Sequence, residues 1–208
     1  MQQVKMFKEQ YPDCILFMRM GDFYETFFED AEICSRELDL VLTSRSKDPE
    51  GNPIPLSGIP FHAVDLYLPR MIRKGYKVAI CEQVEDPKQA KGVVKRDVVR
   101  VVTPGTAIDA DIIPGQGARY LMAVNPDLKK AVIGLAFLDI TTGEFFLKEI
   151  SGGQNYSSLA TEIERYTPLE ILVPQDTPAD LIPFLVSTGK VITPARSLFF
   201  DNAEQTLC

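Results

Sequence analysis

The sequence predicts an α/β protein of two successive domains, the first built on a mixed sheet and the second incomplete. Three observations carry that prediction. Short apolar runs of strand length alternate with stretches whose apolar residues recur every three or four positions. A Pro/Gly-bearing stretch without a period, residues 107–119, interrupts the alternation, and three closely spaced strands then restart it. At 208 residues the chain has the length for two ordinary domains that each bury a core, and 45% hydrophobic with 25% charged residues suits a soluble globular protein.

The first domain, residues 1–106, reads in order as follows. Val4, Met6 and Phe7 give a short amphipathic helix over Met1 to Gln10, stopped at Tyr11-Pro12. Cys14 to Met20 is apolar apart from Arg19 and suits a buried strand leading into a turn at Gly21. From Phe27 the spacing of Phe28, Ala31, Cys34 and Leu38 predicts a helix. Leu40 to Thr43 is expected to return as a strand, and Asp48-Pro49-Glu50-Gly51-Asn52-Pro53 is a turn cluster before a strand at Ile54 to Ser57. His62 to Lys74 reads as a helix with Leu66, Met71 and Ile72 inward and Gly75 as its stop. Tyr76 to Val84 and Asp97 to Thr103 are strands joined by a lysine-bearing connection.

Residues 107–119, with Pro114, Gly115 and Gly117, read as a linker. In residues 120–208, Tyr120 to Val124, Ala131 to Leu138 and Glu144 to Ile150 form a meander of three antiparallel strands, its second turn at Thr141-Thr142-Gly143. A helix at Ser157 to Tyr166, a strand at Glu170 to Val173, a helix at Ala179 to Val186 and a strand near Lys190 to Thr193 follow. Three antiparallel strands followed by alternating helix and strand is the order of a ribonuclease-H-like α/β domain, and this one is expected to be cut short near Cys208.

Composition excludes several classes. The longest apolar runs are too short to span a bilayer, and Gln2, Gln3, Lys5 and Lys8 break any leader pattern, so the expected location is the cytoplasm. Cys14, Cys34, Cys81 and Cys208 are scattered without a CxxC pair and His62 is the single histidine, which argues against a metal site or thiol catalysis. The net charge of −7 opposes a free-standing nucleic-acid binder, yet it is uneven: residues 107–208 hold 7 basic against 13 acidic residues, whereas residues 70–100 hold nine against four.

The most informative motif is Gly21-Asp22-Phe23-Tyr24-Glu25. If it is extended, Phe23 and Glu25 project from one face and Tyr24 from the other; in a helix the pair would splay by about 200°. Phe-x-Glu on one face is an apolar wedge beside a hydrogen-bond acceptor, which is what unstacking and reading a weakly held base requires. Taken alone, the pair reads more simply as a core Phe beside a solvated Glu. Lys95, Arg96 and Arg100 on or beside one strand, with Arg45 and Lys47 flanking the 47–53 loop, are candidate phosphate contacts. A nuclease built on Asp139 and Glu144 is a weaker reading, because two-metal hydrolysis needs several converging carboxylates and these two flank a turn. No G-x-x-x-x-G-K-[ST] phosphate loop occurs, and His62 at a helix start suits a polar cap or phosphate contact better than a catalytic base.

Four blocks then act as a set: Arg19-Met20-Gly21-Asp22-Phe23-Tyr24-Glu25, Gly58-Ile59-Pro60-Phe61-His62-Ala63-Val64, Val78-Ala79-Ile80-Cys81-Glu82-Gln83, and Val98 through Val101-Val102-Thr103-Pro104-Gly105-Thr106. In order and spacing they resemble the N-terminal part of the MutS family of DNA mismatch repair proteins, with residues 120–208 resembling part of that family's connector domain. The resemblance implies that residues 1–106 recognise mismatched or unpaired bases in duplex DNA, Phe23 entering from the minor groove and Glu25 hydrogen-bonding the base. It implies further that Met18, Met20, Asp22, Thr43, Arg45, Ser57, Pro60 and His62 lie near the duplex. The connector would relay to ATPase domains and dock the partner MutL, while ATP, Mg²⁺ and homodimer formation would belong to a full-length parent, leaving this stretch without cofactor or catalysis of its own. The rival is a protein-interaction module with little DNA binding of its own.

Overall fold

A computed structural model describes residues 1–85, 92–107, 117–152 and 156–195, which fall into two compact units, Met1–Pro114 and Gly115–Cys208. In the first unit the strands β1 (Cys14–Met20), β2 (Phe23–Phe27), β3 (Leu56–Pro60), β4 (Lys77–Gln83) and β5 (Arg96–Val102) form one sheet in the order β3-β2-β1-β4-β5. β1 is parallel to β4 and the other joins are antiparallel, so the sheet is mixed.

Alternation along β1 sends its side chains to two different cores. Ile15 and Phe17 join Tyr24, Ile59 and Val78 under α2 (Glu29–Leu38) and α3 (Val64–Arg73), which contribute Cys34, Leu38, Leu68, Met71 and Ile72. Cys14, Leu16 and Met18 face the other way with Ala79 and Cys81, covered by Val4 and Phe7 of α1 (Gln2–Gln10). α1 is nine residues long, about 14 Å at 1.5 Å per residue, and packs chiefly on β1. At the Phe23 end of β2 that face is uncovered. Buried Asp30, in the first turn of α2, ties the layers by accepting from Leu16 N at 2.9 Å and from Lys8 Nζ at 2.7 Å.

Several expected elements differ. Leu40 to Thr43 is not a strand: Val41 and Leu42 are exposed, and only Thr43 pairs, in an isolated bridge with Leu56. The strand expected at Ile54 to Ser57 is instead Leu56–Pro60, running through Gly58-Ile59-Pro60 because it pairs residue for residue with β2. The helix expected from His62 begins as a 3₁₀ turn, Phe61–Ala63, before α3. Leu66 points outward at 73% exposure, since the inward stripe is set by Leu68, Met71 and Ile72. Gly75 does follow α3, with φ of 86°. The lysine-bearing connection at 86–91, most of the 107–119 linker and the 203–208 end lie outside the described residues.

The second unit holds β6 (Tyr120–Asp127), β7 (Val132–Asp139), β8 (Phe145–Ser151), β9 (Glu170–Pro174) and β10 (Val191–Ala195) in the order β10-β9-β6-β7-β8. β6, β7 and β8 form the antiparallel meander, and β9 and β10 add in parallel through α4 (Ser157–Tyr166) and α5 (Leu181–Ser187). This is the ribonuclease-H-like order expected. β7 alternates half-buried and buried residues, with Ile133, Leu135 and Phe137 facing Leu159, Ile163, Leu181 and Leu185 of the two helices. Tyr120, Phe137, Phe146 and Tyr166 add an aromatic cluster, with Phe137 and Phe146 stacked at 4.8 Å.

Cys14, Cys34 and Cys81 are buried free thiols, and burial pushes Cys34 and Cys81 up to about 12, which makes them inert at neutral pH. Among the described residues no helix is long and apolar enough to cross a membrane.

Candidate nucleic-acid interface

Phe23, Tyr24 and Glu25 are extended in β2, hydrogen-bonded on both sides. Tyr24 enters the α2/α3 core, with its ring 6.3 Å from Phe17 and its hydroxyl donating to Glu82. Burial and that carboxylate together push the Tyr24 phenol up to about 12. Phe23 and Glu25 share the opposite face but differ in depth: Phe23 is 43% exposed, whereas Glu25 is 8% exposed. An exposed Phe beside a sunken carboxylate is the reverse of a core Phe beside a solvated Glu.

Glu25 keeps its charge company with Arg45, whose Nη1 donates to Oε1 at 2.8 Å. Arg45 stands on the loop between α2 and β3. That loop is anchored by reciprocal bonds of 2.8 Å between the backbones of Thr43 and Leu56, by Ile54 N donating to Ser46 O at 2.9 Å, and by the Asp48-to-Asn52 turn. Phe23, Glu25, Thr43, Arg45, Ser57 and Gly58 are among the residues lining a shallow pocket of about 170 Å³.

Of the other residues expected near DNA, Asp22 is exposed in the Gly21 turn, and its carbonyl accepts from Phe61 N at 2.9 Å. Met20 is half-buried, Pro60 lies across from Phe23 in the β2–β3 ladder, and His62 is exposed on the 3₁₀ turn, edge-on to Phe61. Three of the residues expected near DNA are buried. Met18 is fully buried beneath α1. Ser57 pairs with Thr26, so it projects from Tyr24's side of the sheet at 1% exposure; its Oγ is buried without a hydrogen-bond partner among the described residues. Arg96 is 9% exposed and donates inward to Arg19 O at 2.8 Å, Val94 O at 2.9 Å and Gln3 Oε1 at 3.2 Å, so it binds the fold together.

Lys95 and Arg100 are exposed, but they lie at or beside β5, the far edge of the sheet. Three strand spacings, about 14 Å, separate β5 from β2. The structure therefore gathers Phe23, Glu25, Thr43, Arg45 and Pro60 at one end and leaves the basic strand apart.

Two features escaped the sequence reading. The Arg19 guanidinium lies 3.7 Å from the centre of the 37%-exposed Phe61 ring, and its position as the one charge in an apolar strand was the available signal. Gly58 faces Glu25 directly, and because its φ is not in the left-handed region, conformational freedom is not what glycine supplies there.

In the second unit Asp139 is 3% exposed and accepts from Thr141 Oγ1 at 2.7 Å, Thr141 N at 2.9 Å, Thr142 Oγ1 at 3.0 Å and Arg119 N at 3.1 Å. The hydroxyl and backbone donors of Thr141 lead in holding its carboxyl down at about 2. Asp139 is thus a turn-organising acceptor, while Glu144 is exposed, and among the described residues no cluster of three or more His, Cys, Asp or Glu is placed to hold a metal ion.

Residues 1–111 match the family model described as MutS domain I, and residues 119–206 match that of MutS domain II. The chain is 52% identical over 183 residues to the DNA mismatch repair protein MutS of Methanosarcina mazei, covering 84% of this chain and 20% of that protein. Proteins of the same name from Symbiobacterium thermophilum, at 50% identity over 171 residues, and Syntrophomonas wolfei, at 52% over 173, are similar over 82% and 83% of the chain and 19% and 20% of their own lengths. The chain spans about a fifth of the length of these relatives.

Proposed function

The chain belongs to the MutS family of DNA mismatch repair proteins, and from that premise we propose that its first unit recognises mismatched or unpaired bases in duplex DNA through Phe23 and Glu25. The observation that carries the reading is the depth difference between the two: an exposed ring able to enter a base step, and beside it a sunken acceptor. A mispaired base costs less to unstack than a paired one, so a wedge selects it without reading sequence. Glu25 adds a hydrogen bond that a fully paired base does not accommodate, which makes it a discriminating group more than an affinity group. In this reading Met20, Asp22, Thr43, Pro60 and His62 lie near the duplex, and Lys95 and Arg100 meet phosphates farther along it.

The chain contains no phosphate-binding loop. In the same reading ATP, Mg²⁺ and homodimer formation belong to parts of the complete protein outside this chain. The second unit relays the DNA-bound state and docks MutL; its acidic balance and the exposed Phe145 and Leu147 on edge strand β8 favour a protein partner. The reading places the protein in the cytoplasm. Titrating the protein encoded by the complete gene with labelled matched and mismatched duplexes, and separately with MutL, tests both roles. Equal affinity for all duplexes beside firm MutL binding would favour the interaction-module reading.

A further inference from the structure

We infer that Arg45 is a positioning residue for Glu25, fixing which carboxylate oxygen the base meets, and is not a phosphate contact. The inference rests on the mismatch-recognition reading and adds to it the device that aims the acceptor.

The geometry has three parts. A carboxylate offers about four lone-pair positions on two oxygens. Arg45 Nη1 takes Oε1 at 2.8 Å, and among the described residues this is the hydrogen bond the Glu25 carboxylate receives. Oε2 is left as the acceptor. The second part is Gly58, across the ladder from Glu25: a Cβ there would stand 3.5 Å from Glu25 Cγ and 3.3 Å from Tyr24 O, so the absent side chain keeps the carboxylate's surroundings clear. The third is the anchoring of the loop, whose Thr43–Leu56 bridge lies two residues from Arg45.

Electrostatics explain why an arginine suits the position. A sunken, unpaired carboxylate is costly, and beside a duplex it is also repelled by phosphates. Paired with Arg45, Glu25 approaches as a neutral unit whose free oxygen still accepts. The Arg45 side chain is 72% exposed while that of Glu25 is 11% exposed, so the remaining guanidinium donors stay hydrated and the orienting bond is made at the rim of the pocket. Arginine's planar fork fixes the direction of that bond more firmly than an ammonium can.

The test is a double-mutant cycle in the protein encoded by the complete gene, with matched duplex, a G·T mismatch and a single unpaired T as probes across a salt series. Arg45→Ala is expected to lower the mismatch-to-matched affinity ratio on the order of tenfold, as loss of a charge-assisted bond does. Arg45→Lys is expected to restore part of it, and Arg45→Ala added to Glu25→Gln is expected to lower the ratio no further. Equal weakening on matched and mismatched duplexes, with the salt slope reduced by about one, would make Arg45 a phosphate contact and overturn the inference. A loss of the same size with and without Glu25→Gln would also overturn it. Phe23→Ala, run alongside, separates the two levels: a mismatch preference that survives it refutes the recognition reading itself, whereas a preference lost with Phe23→Ala and untouched by Arg45→Ala refutes the role of Arg45 alone.

Discussion

Glu25 and Gly58 face each other across the β2–β3 ladder, and a Cβ on the glycine would make a tight contact of 3.3 Å with Tyr24 O. Contacts of that length demand that the ladder give by a few tenths of an ångström. A glycine in a strand interior marks close approach of backbone or ligand, and here it lies beside the acceptor.

Gly58→Ala is therefore expected to lower the mismatch-to-matched affinity ratio several-fold while costing about 1 kcal/mol of stability or less, and Gly58→Val is expected to lower the ratio further. Duplex titrations with urea unfolding of the same samples check it. An unchanged ratio in Gly58→Val would remove Gly58 from the site.

Arg96 gives the opposite pattern. Its guanidinium bonds to Arg19 O, Val94 O and Gln3 Oε1 inside the fold. Arg96→Ala is expected to destabilise the first unit by about 2 kcal/mol, read in denaturant unfolding. The salt slope of duplex binding should stay as it is, whereas Arg100→Ala should reduce that slope by about one.

Asp139 governs an acid-stability prediction. Its carboxyl is held at about 2 against an ordinary 3.8, so the folded state binds its proton later than the unfolded chain does. The stabilisation is fully present above about pH 4 and is lost as pH falls toward 2. Asp139→Asn should lower the melting temperature at pH 7 and flatten the acid limb of the stability curve across that window. Mismatch preference should not change. Mg²⁺-dependent DNA cleavage that disappears in Asp139→Asn would instead revive a nuclease role.

Much of this architecture was legible because periodicity is local. Phe23, Tyr24 and Glu25 declare opposite faces as soon as the segment is extended, and the 157–166 helix and the three-strand meander are written in spacing and turn residues. What the sequence left hidden depends on which element covers which. Met18 and Phe23 share a face of the sheet, yet α1 lies over one and not the other. Ser57 was buried by a pairing register with β2 that sets its side chain on Tyr24's side of the sheet, and Val41 and Leu42 looked like a strand but found no partner among the described residues. Arg96 resembled a surface cation until its inward acceptors were in place. The pairing of Arg45 with Glu25 spans twenty residues and an irregular loop, beyond the reach of any period.

Phe23 carries the central claim. Its ring is 43% exposed, so truncation should alter stability by about 0.5 kcal/mol or less. The most direct measurement is the ratio of affinities for mismatched and matched duplexes in Phe23→Ala, made with the protein encoded by the complete gene. The predicted result is a ratio near one with folding intact. A variant that stays folded and keeps the wild-type ratio would contradict the account.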